Sequence, residues 1–337
     1  MPKLWYKTPA REYMAGLPVG NGRLAAMVLG DPCCERLALN HEWLWRGCNR
    51  QRECDASADR LAAVRELLLA GDLAEGTRQG DWAFGGGGGG HPEKRPSRVD
   101  PYQPAGDLTF RPEHSDRWTA YRRELDLGRG VASVSYRVGK LICCREVIAD
   151  AGEGDCLLMH LSFSRRANGR LSLDRREDPR CSVKRWAEPD GLRLEGIFRG
   201  GLAFRVEADV VFCDGDMSIR EGDLWLSGVT DAVVAVSIGT SADTASLSDQ
   251  CASQWGHDMA WEKILAQHCQ QWYSIGGRPM LSLWQAALDL PTDERLRRAR
   301  AGEPDPTLPA LYFEYGRYLL QACTLKGDLP PNLQGKW

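Results

Sequence analysis

The sequence predicts a mainly β fold, a large double sheet of antiparallel strands followed by a helical stretch. Three observations predict it. Apolar and polar residues alternate over many short runs between residues 105 and 240. Turn formers separate those runs, as at Asn168-Gly169 and Asp214-Gly215-Asp216. Beyond residue 252 the period of two gives way to helical spacing. Many period-two strands at short spacing indicate a sandwich of antiparallel sheets. The span is too long for one immunoglobulin-like unit, so a larger double sheet fits better.

Residues 1–50 are rich in Gly, Pro and Trp, with apolar runs such as 24–29, and read as short strands and turns. Residues 57–70 read as a helix, with Leu61, Val64, Leu67 and Leu68 on one face and Gly71 as its stop. A second short helix is expected over 72–79. The six-glycine run 85–90 lacks the strand before and the Lys-Ser/Thr helix after that a phosphate loop needs. It reads as a flexible surface loop.

Within the sheet region, Val134, Tyr136 and Val138 share a face, as do Leu157, Met159, Leu161 and Phe163. Phe204, Val206, Ala208, Val210 and Phe212 form a third set, and Val234, Val236 and Ile238 close the series. Residues 252–273 carry Trp255, Met259, Ile264 and Trp272 and read as a helix. A helix starts at Pro291-Thr292, with acids in its first turn and Gly302 as its end. Its run Arg295, Arg297, Arg298, Arg300 reads as a solvated face. Asp305-Pro306 starts another helix, whose stripe is Leu308, Leu311, Tyr312, Tyr315, Leu319 and Ala322.

Composition narrows the function. The 337 residues are 43% hydrophobic and 26% charged, with a net charge of −3, which leaves no electrostatic footprint for nucleic acid. No stretch approaches the roughly 20 apolar residues of a membrane helix. The first fifteen residues, with Lys3, Lys7, Arg11 and Glu12, hold no apolar signal region. The expectation is a cytoplasmic protein, or an extracellular one if the N-terminus is incomplete. The twelve cysteines show no C-x-x-C spacing and read as reduced thiols. The six histidines show no ligand spacing, so neither a metal nor another cofactor is expected. The twelve tryptophans suit core packing and also stacking on sugar faces. Glu42, Asp107, Glu124 and Asp126 are not paired by the sequence for acid–base work and read as turn or strand carboxylates.

Several motifs carry a resemblance. Leu17-Pro18-Val19-Gly20-Asn21-Gly22-Arg23-Leu24-Ala25-Ala26-Met27 and Leu39-Asn40-His41-Glu42-Trp43-Leu44-Trp45-Arg46-Gly47 open the chain. Tyr102-Gln103-Pro104-Ala105-Gly106-Asp107-Leu108, Tyr121-Arg122-Arg123-Glu124-Leu125-Asp126-Leu127 and Arg145-Glu146-Val147 follow in order. Leu290-Pro291-Thr292-Asp293-Glu294-Arg295-Leu296, then Phe313-Glu314-Tyr315-Gly316-Arg317-Tyr318-Leu319-Leu320, then Leu329-Pro330-Pro331-Asn332-Leu333-Gln334-Gly335-Lys336-Trp337 complete the set. Together they resemble glycoside hydrolase family 95, the α-L-fucosidases. His41 departs from the acid usual at its place in that family.

The resemblance implies a β-super-sandwich over residues 1–245, a helical linker over 246–304, and the first helix of an (α/α)6 catalytic barrel over 305–337. It implies inverting hydrolysis of a terminal α-L-fucosyl linkage, often α-1,2, on a fucosylated oligosaccharide, with α-L-galactosides preferred by some relatives. A twelve-helix barrel needs roughly 200 residues or more. The catalytic glutamate and the water-holding asparagines are therefore expected beyond residue 337, and none is assigned here. Asn332, Gln334 and Trp337, on the loop after the first barrel helix, are the expected substrate-facing residues. Asn21 and Trp45 are expected at the sandwich–barrel interface or reaching the site. A non-catalytic glycan-binding remnant and half of a two-chain enzyme are the competing readings.

Overall fold

The computed structural model describes residues 2–46, 58–84, 101–152, 154–199, 201–242, 260–276, 281, 283, 289–332 and 335. Two compact units form, one of residues Met1–Leu44 and Gln103–Trp337, the other of Trp45–Tyr102.

Among the described residues, the first unit is built on fourteen antiparallel strands. In chain order they are β1 (Lys3–Tyr6), β2 (Leu17–Gly20), β3 (Leu24–Val28), β4 (Glu35–His41), β5 (Gly106–Pro112), β6 (Thr119–Asp126) and β7 (Val131–Val138). Then come β8 (Leu141–Ala149), β9 (Leu157–Asp174), β10 (Cys181–Glu188), β11 (Gly191–Phe198), β12 (Ala203–Cys213), β13 (Asp216–Arg220) and β14 (Asp223–Thr240). One run is ordered β1-β6-β7-β8-β9-β14-β12-β11-β10. A second, β2-β3-β4-β5, joins the first at β9, and β13 pairs with β14.

The two long strands make the corner. The first half of β9 pairs with β8, from Leu157↔Ala149 to Phe163↔Cys143. Its second half pairs with β5, from Gly169↔Pro112 to Asp174↔Asp107. The β9–β14 ladder shifts register between Leu226 and Val229 and again between Val229 and Asp231. Such irregularities bend a strand pair and let it pass from one layer to the other. β2 then lies across from β6, β7 and β8. Leu17, Val19, Leu24, Leu39 and Leu108 meet Leu125, Val134, Tyr136, Val147, Met159 and Leu161 in one core. Burying a large aliphatic side chain contributes about 1.5–3 kcal/mol each, so this shared core holds the layers together.

Two strand expectations change. Phe212 is 36% exposed and Val211 is buried, because the register shifts between Val210 and Phe212 and inserts one residue. The β9 run is buried on both faces from Leu157 to Leu161, not on one. Its second face, with Leu158, Ile148, Val233 and Ala235, is covered by Trp261 and Ile264 of helix α3 (Trp261–Gly276), the third α-helix among the described residues. The first two, α1 (Ala58–Leu69) and α2 (Leu73–Phe84), form the second unit. There Val64 is buried but Leu61 and Leu68 are exposed, since a helix pair has one neighbour each to cover it. The α2 helix runs five residues past its expected end at 79, to Phe84. The glycine run, Trp255 and Met259 lie outside the described residues.

The last two helices among the described residues are α4 (Thr292–Arg300) and α5 (Leu308–Thr324). Arg295 is buried, not solvated: it grips Asp305 through Nε at 2.7 Å and Nη2 at 3.0 Å, and so ties α4 to the start of α5. A bidentate pair of this kind compensates the loss of water around the guanidinium. On α5 the expected stripe packs on the core except at Tyr312, with Leu308, Tyr315 and Leu319 half-buried against it. Leu311, Tyr318 and Ala322 are buried, together with Glu314 and Cys323, whereas Tyr312 is 78% exposed. The reason is a narrow contact with β2, where the Tyr318 hydroxyl donates to the Pro18 carbonyl at 2.7 Å. A Cβ on Gly20 would lie 2.8 Å from the Ala322 carbonyl oxygen, so the approach is close. Among the described residues no helix is long and apolar enough to cross a membrane.

Two histidines fasten α3 to the sheet and titrate in opposite directions. His268 is fully buried; its Nδ1 accepts from the Ala151 N–H at 3.3 Å and its Nε2 donates to the Arg129 carbonyl at 2.9 Å. Burial pulls its pKa down to about 4, which keeps it neutral. His160 on β9 stacks on Trp261 with ring centroids 4.8 Å apart. Its Nε2 is 2.9 Å from Asp231 on β14, and its Nδ1 is 3.8 Å from Glu146 on β8. Trp261 Nε1 donates to the same Glu146 at 2.7 Å, and Arg129 also acts on that carboxylate. Burial opposes charge on His160, but the two carboxylates outweigh it and raise its pKa.

The stability signs follow by linkage. The His268 contribution is full above its ordinary value of 6.5 and is lost as pH falls towards about 4. The His160 contribution is full below 6.5 and is lost as pH rises through its raised folded value. We expect His268→Gln to flatten the acid side of a Tm-versus-pH curve and His160→Gln to flatten the alkaline side. A thermal series from pH 4 to 9 checks both; identical curves for the two variants would contradict the assignment.

Candidate functional site

The site is a junction between the N-terminal motif and the loop after α5. β2 and β3 pair with Gly20 opposite Ala25, which leaves residues 21–24 as a tight turn. Asn21 is fully buried and builds that turn: its Oδ1 accepts from the N–H groups of Arg23 at 3.1 Å and Leu24 at 2.9 Å. Its Nδ2 donates to the Asp150 carbonyl at 3.1 Å. Gly22 follows at φ +99°, a left-handed conformation that favours glycine. A Cβ there would lie 2.5 Å from the Gly327 nitrogen.

The loop lies directly on this turn. The Lys326 N–H donates to the Asn21 carbonyl at 2.6 Å. Lys326 Nζ donates to the Gly154 carbonyl at 2.6 Å and stands 3.5 Å from Asp150 Oδ2. Arg23 reaches Asp155 through Nε at 2.7 Å and Asp328 through Nη1 at 3.2 Å. Glu42, just past β4, is almost fully buried; its Oε1 accepts from the Asp328 N–H and its Oε2 from the Leu329 N–H, each at 3.0 Å. The loop continues through Pro330 and Pro331 to Asn332, which is half-buried and whose carbonyl accepts from the Gly335 N–H at 3.0 Å. Gly335 takes φ +80° and turns the chain.

Of the expected substrate-facing residues, the structure places Asn332 on this loop; Gln334 and Trp337 lie outside the described residues. Asn21 is brought to the same junction, where it supports the turn and points inward. Trp45 belongs to the second unit, where it bridges Tyr102 with ring centroids 5.1 Å apart and closes the base of that unit. Arg23, Asp150, Asp155 and Lys326 were not anticipated. The legible signal was Gly22 in the opening motif; Gly327, which falls between the last two motifs, supplies the second backbone of this close contact.

The four carboxylates considered for catalysis are engaged in structure. Glu42 holds the loop. Asp107 pairs with Arg36 at 2.9 Å. Glu124 pairs with Lys3 and with Arg122. Asp126 Oδ1 accepts from the Gly128 and Arg129 N–H groups at 3.1 and 3.2 Å, closing the turn between β6 and β7. Among the described residues no group of three His, Cys, Asp or Glu side chains is placed to hold a metal. A separate cavity of about 990 Å³ opens between β1, α4 and α5, lined in part by Tyr6, Leu296, Tyr312 and Tyr315. Arg123 on its wall is spent on the Thr8 and Ala15 carbonyls at 2.8 and 2.7 Å.

Comparison of the sequence with known proteins finds two family models that match it. Residues 4–245 match the glycosyl hydrolase family 65 N-terminal domain, and residues 260–337 match the glycosyl hydrolase family 95 catalytic domain. Alpha-L-fucosidase 2 of Arabidopsis thaliana is 26% identical over 99% of this chain and 43% of its own length. Probable alpha-fucosidase A of Aspergillus oryzae is 23% identical over 95% of this chain and 47% of its own. The Aspergillus niger protein of the same name is 25% identical over 99% and 44%. The chain thus spans less than half the length of these curated relatives. Over residues 4–245 the chain belongs to the glycosyl hydrolase family 65 N-terminal domain family, in its family 95 α-fucosidase-like form, and it continues into the start of a family 95 catalytic domain.

Proposed function

We propose that these 337 residues are the N-terminal part of an inverting α-L-fucosidase-type glycosidase that acts on terminal α-L-fucosyl linkages of oligosaccharides. The single observation that carries this reading is the catalytic-domain match, which runs from residue 260 into the loop held on the sandwich. The proposed division is a sandwich over 1–245, a helical linker over 246–304 and the opening of the barrel over 305–337. Asn332, Gln334 and Trp337 face the glycan: amides suit pairs of sugar hydroxyls and an indole suits an apolar sugar face. The acid that protonates the leaving oxygen and the groups that hold the attacking water are proposed to lie outside these residues, because a twelve-helix barrel needs roughly 200 residues or more; Glu42, Asp107, Glu124 and Asp126 are each engaged in structure.

The purified 337-residue chain is expected to bind 2′-fucosyllactose and to release no fucose from it or from an aryl α-L-fucoside. Binding by saturation-transfer NMR and a fucose-release assay check the two halves. Release above a buffer control would overturn the absence of the catalytic groups. Absence of any binding would overturn the placement of the loop at the glycan. Equal binding of the α-L-galactoside analogue would favour the galactosidase-like relatives.

A further inference from the structure

We infer that Glu42 is a positioning residue for the glycan-facing loop, setting where residues 328–332 stand against the sandwich. The inference rests on the reading of that loop as glycan-facing. Glu42 is 2% exposed, and each of its carboxylate oxygens takes one of two consecutive backbone N–H groups. Holding two successive amides fixes two peptide planes, and hydrogen bonds to a charged acceptor are the stronger kind. Neither Asp328 nor Leu329 belongs to a helix or strand, so no ladder holds these amides in place.

The approach is enforced from both sides. A Cβ on Gly327 would lie 3.0 Å from Glu42 Oε2 and 3.1 Å from the Gly22 carbonyl oxygen. Glu42 is itself anchored, because its N–H donates to the Arg23 carbonyl at 2.9 Å. Arg23 adds its own hold on Asp328 at 3.2 Å. From Leu329 the chain passes through Pro330 and Pro331 to Asn332. Proline fixes φ, so this short link transmits a displacement at Leu329 to Asn332 instead of absorbing it. An acidic side chain of the sandwich thereby sets the position of an amide on the catalytic-domain side of the chain.

The test uses the whole 337-residue chain with 2′-fucosyllactose as the probe. Glu42→Gln replaces one acceptor oxygen by an amide that faces an N–H. Hydrogen exchange in the peptide covering 328–329 is expected to rise at least tenfold, with β3 and β9 unchanged and Tm within a few degrees of wild type. Affinity for 2′-fucosyllactose is expected to fall severalfold. Asn332→Ala is expected to fall similarly, and the double variant no further than Asn332→Ala alone, because Glu42 acts through the loop that carries Asn332. Arg23→Ala, which loosens the same loop at Asp328, is expected to reproduce the local exchange should Glu42→Gln fold poorly. Unchanged exchange at 328–329, exchange raised evenly across the sheet, or additive losses in the double variant would each overturn the inference. If wild type does not bind the probe, the glycan reading falls, and the exchange experiment alone decides whether Glu42 holds the loop.

Discussion

Trp272→Ala is expected to destabilise the chain by about 3–5 kcal/mol, the range for deleting a buried tryptophan. Trp272 is 2% exposed, and its ring lies between three elements. It stacks near His268 of its own helix with centroids 5.9 Å apart and meets Tyr318 of α5 at a tilt, with centroids 5.4 Å apart. Its Nε1 donates to the Leu127 carbonyl at 3.3 Å, and its own carbonyl accepts from Gln321 Nε2 at 2.8 Å. A Cβ on Gly130 would lie 2.7 Å from the ring, so the β6–β7 turn rests directly on it. Removing the indole opens a cavity where α3, α5 and that turn meet, and leaves the Leu127 carbonyl without this donor. Urea unfolding measures the loss. Trp272→Phe, which keeps part of the volume, is expected between the two; a loss under about 1 kcal/mol for Ala would contradict this packing.

Gly22→Ala is expected to be the most damaging change at the junction. At φ +99° a side chain is strained, at a cost on the order of 1–3 kcal/mol. In addition the new methyl would stand 2.5 Å from the Gly327 nitrogen and 2.9 Å from that of Lys326, both backbone atoms. The loop must therefore move. Gly71→Ala supplies the comparison, because Gly71 has φ +85° with nothing within 4 Å of its Cβ position. Its cost isolates the backbone strain. The excess for Gly22→Ala, read by thermal unfolding, measures the close approach, and protease cleavage near 325–332 is expected to quicken in that variant alone. Equal costs at the two glycines would show that the loop does not press on the turn.

Much of the fold was legible because its elements report their surroundings locally. Val134 and Tyr136 are buried on one side of β7 while Arg137 faces out, so a period of two was enough to find the strand. Thr292–Arg300 begins and ends where Pro291, its acids and Gly302 place it, since capping chemistry is local too. The alternation failed where a distant element intervened. Leu158 is buried because Trp261, about a hundred residues later, covers that face. Phe212 is exposed because β12 and β14 slip by one residue, a property of the pair and not of either strand. The candidate site divided in the same way. Asn332 was named from its motif, whereas the partners of Glu42 and Lys326 lie more than 170 residues away in sequence.

By itself the sequence determined the mainly β class, the order of strands and helices, and the ordered motifs by which the family is known. These depend on side-chain period, turn chemistry and motif order, all read within a few residues. Only the tertiary structure decided that β9 and β14 run through both layers, that Arg295 is buried, that α5 turns Tyr312 outward, and that Glu42 grips the loop after α5. Each of those depends on which surface a residue meets across the fold, and burial is settled by the partner, not by the residue.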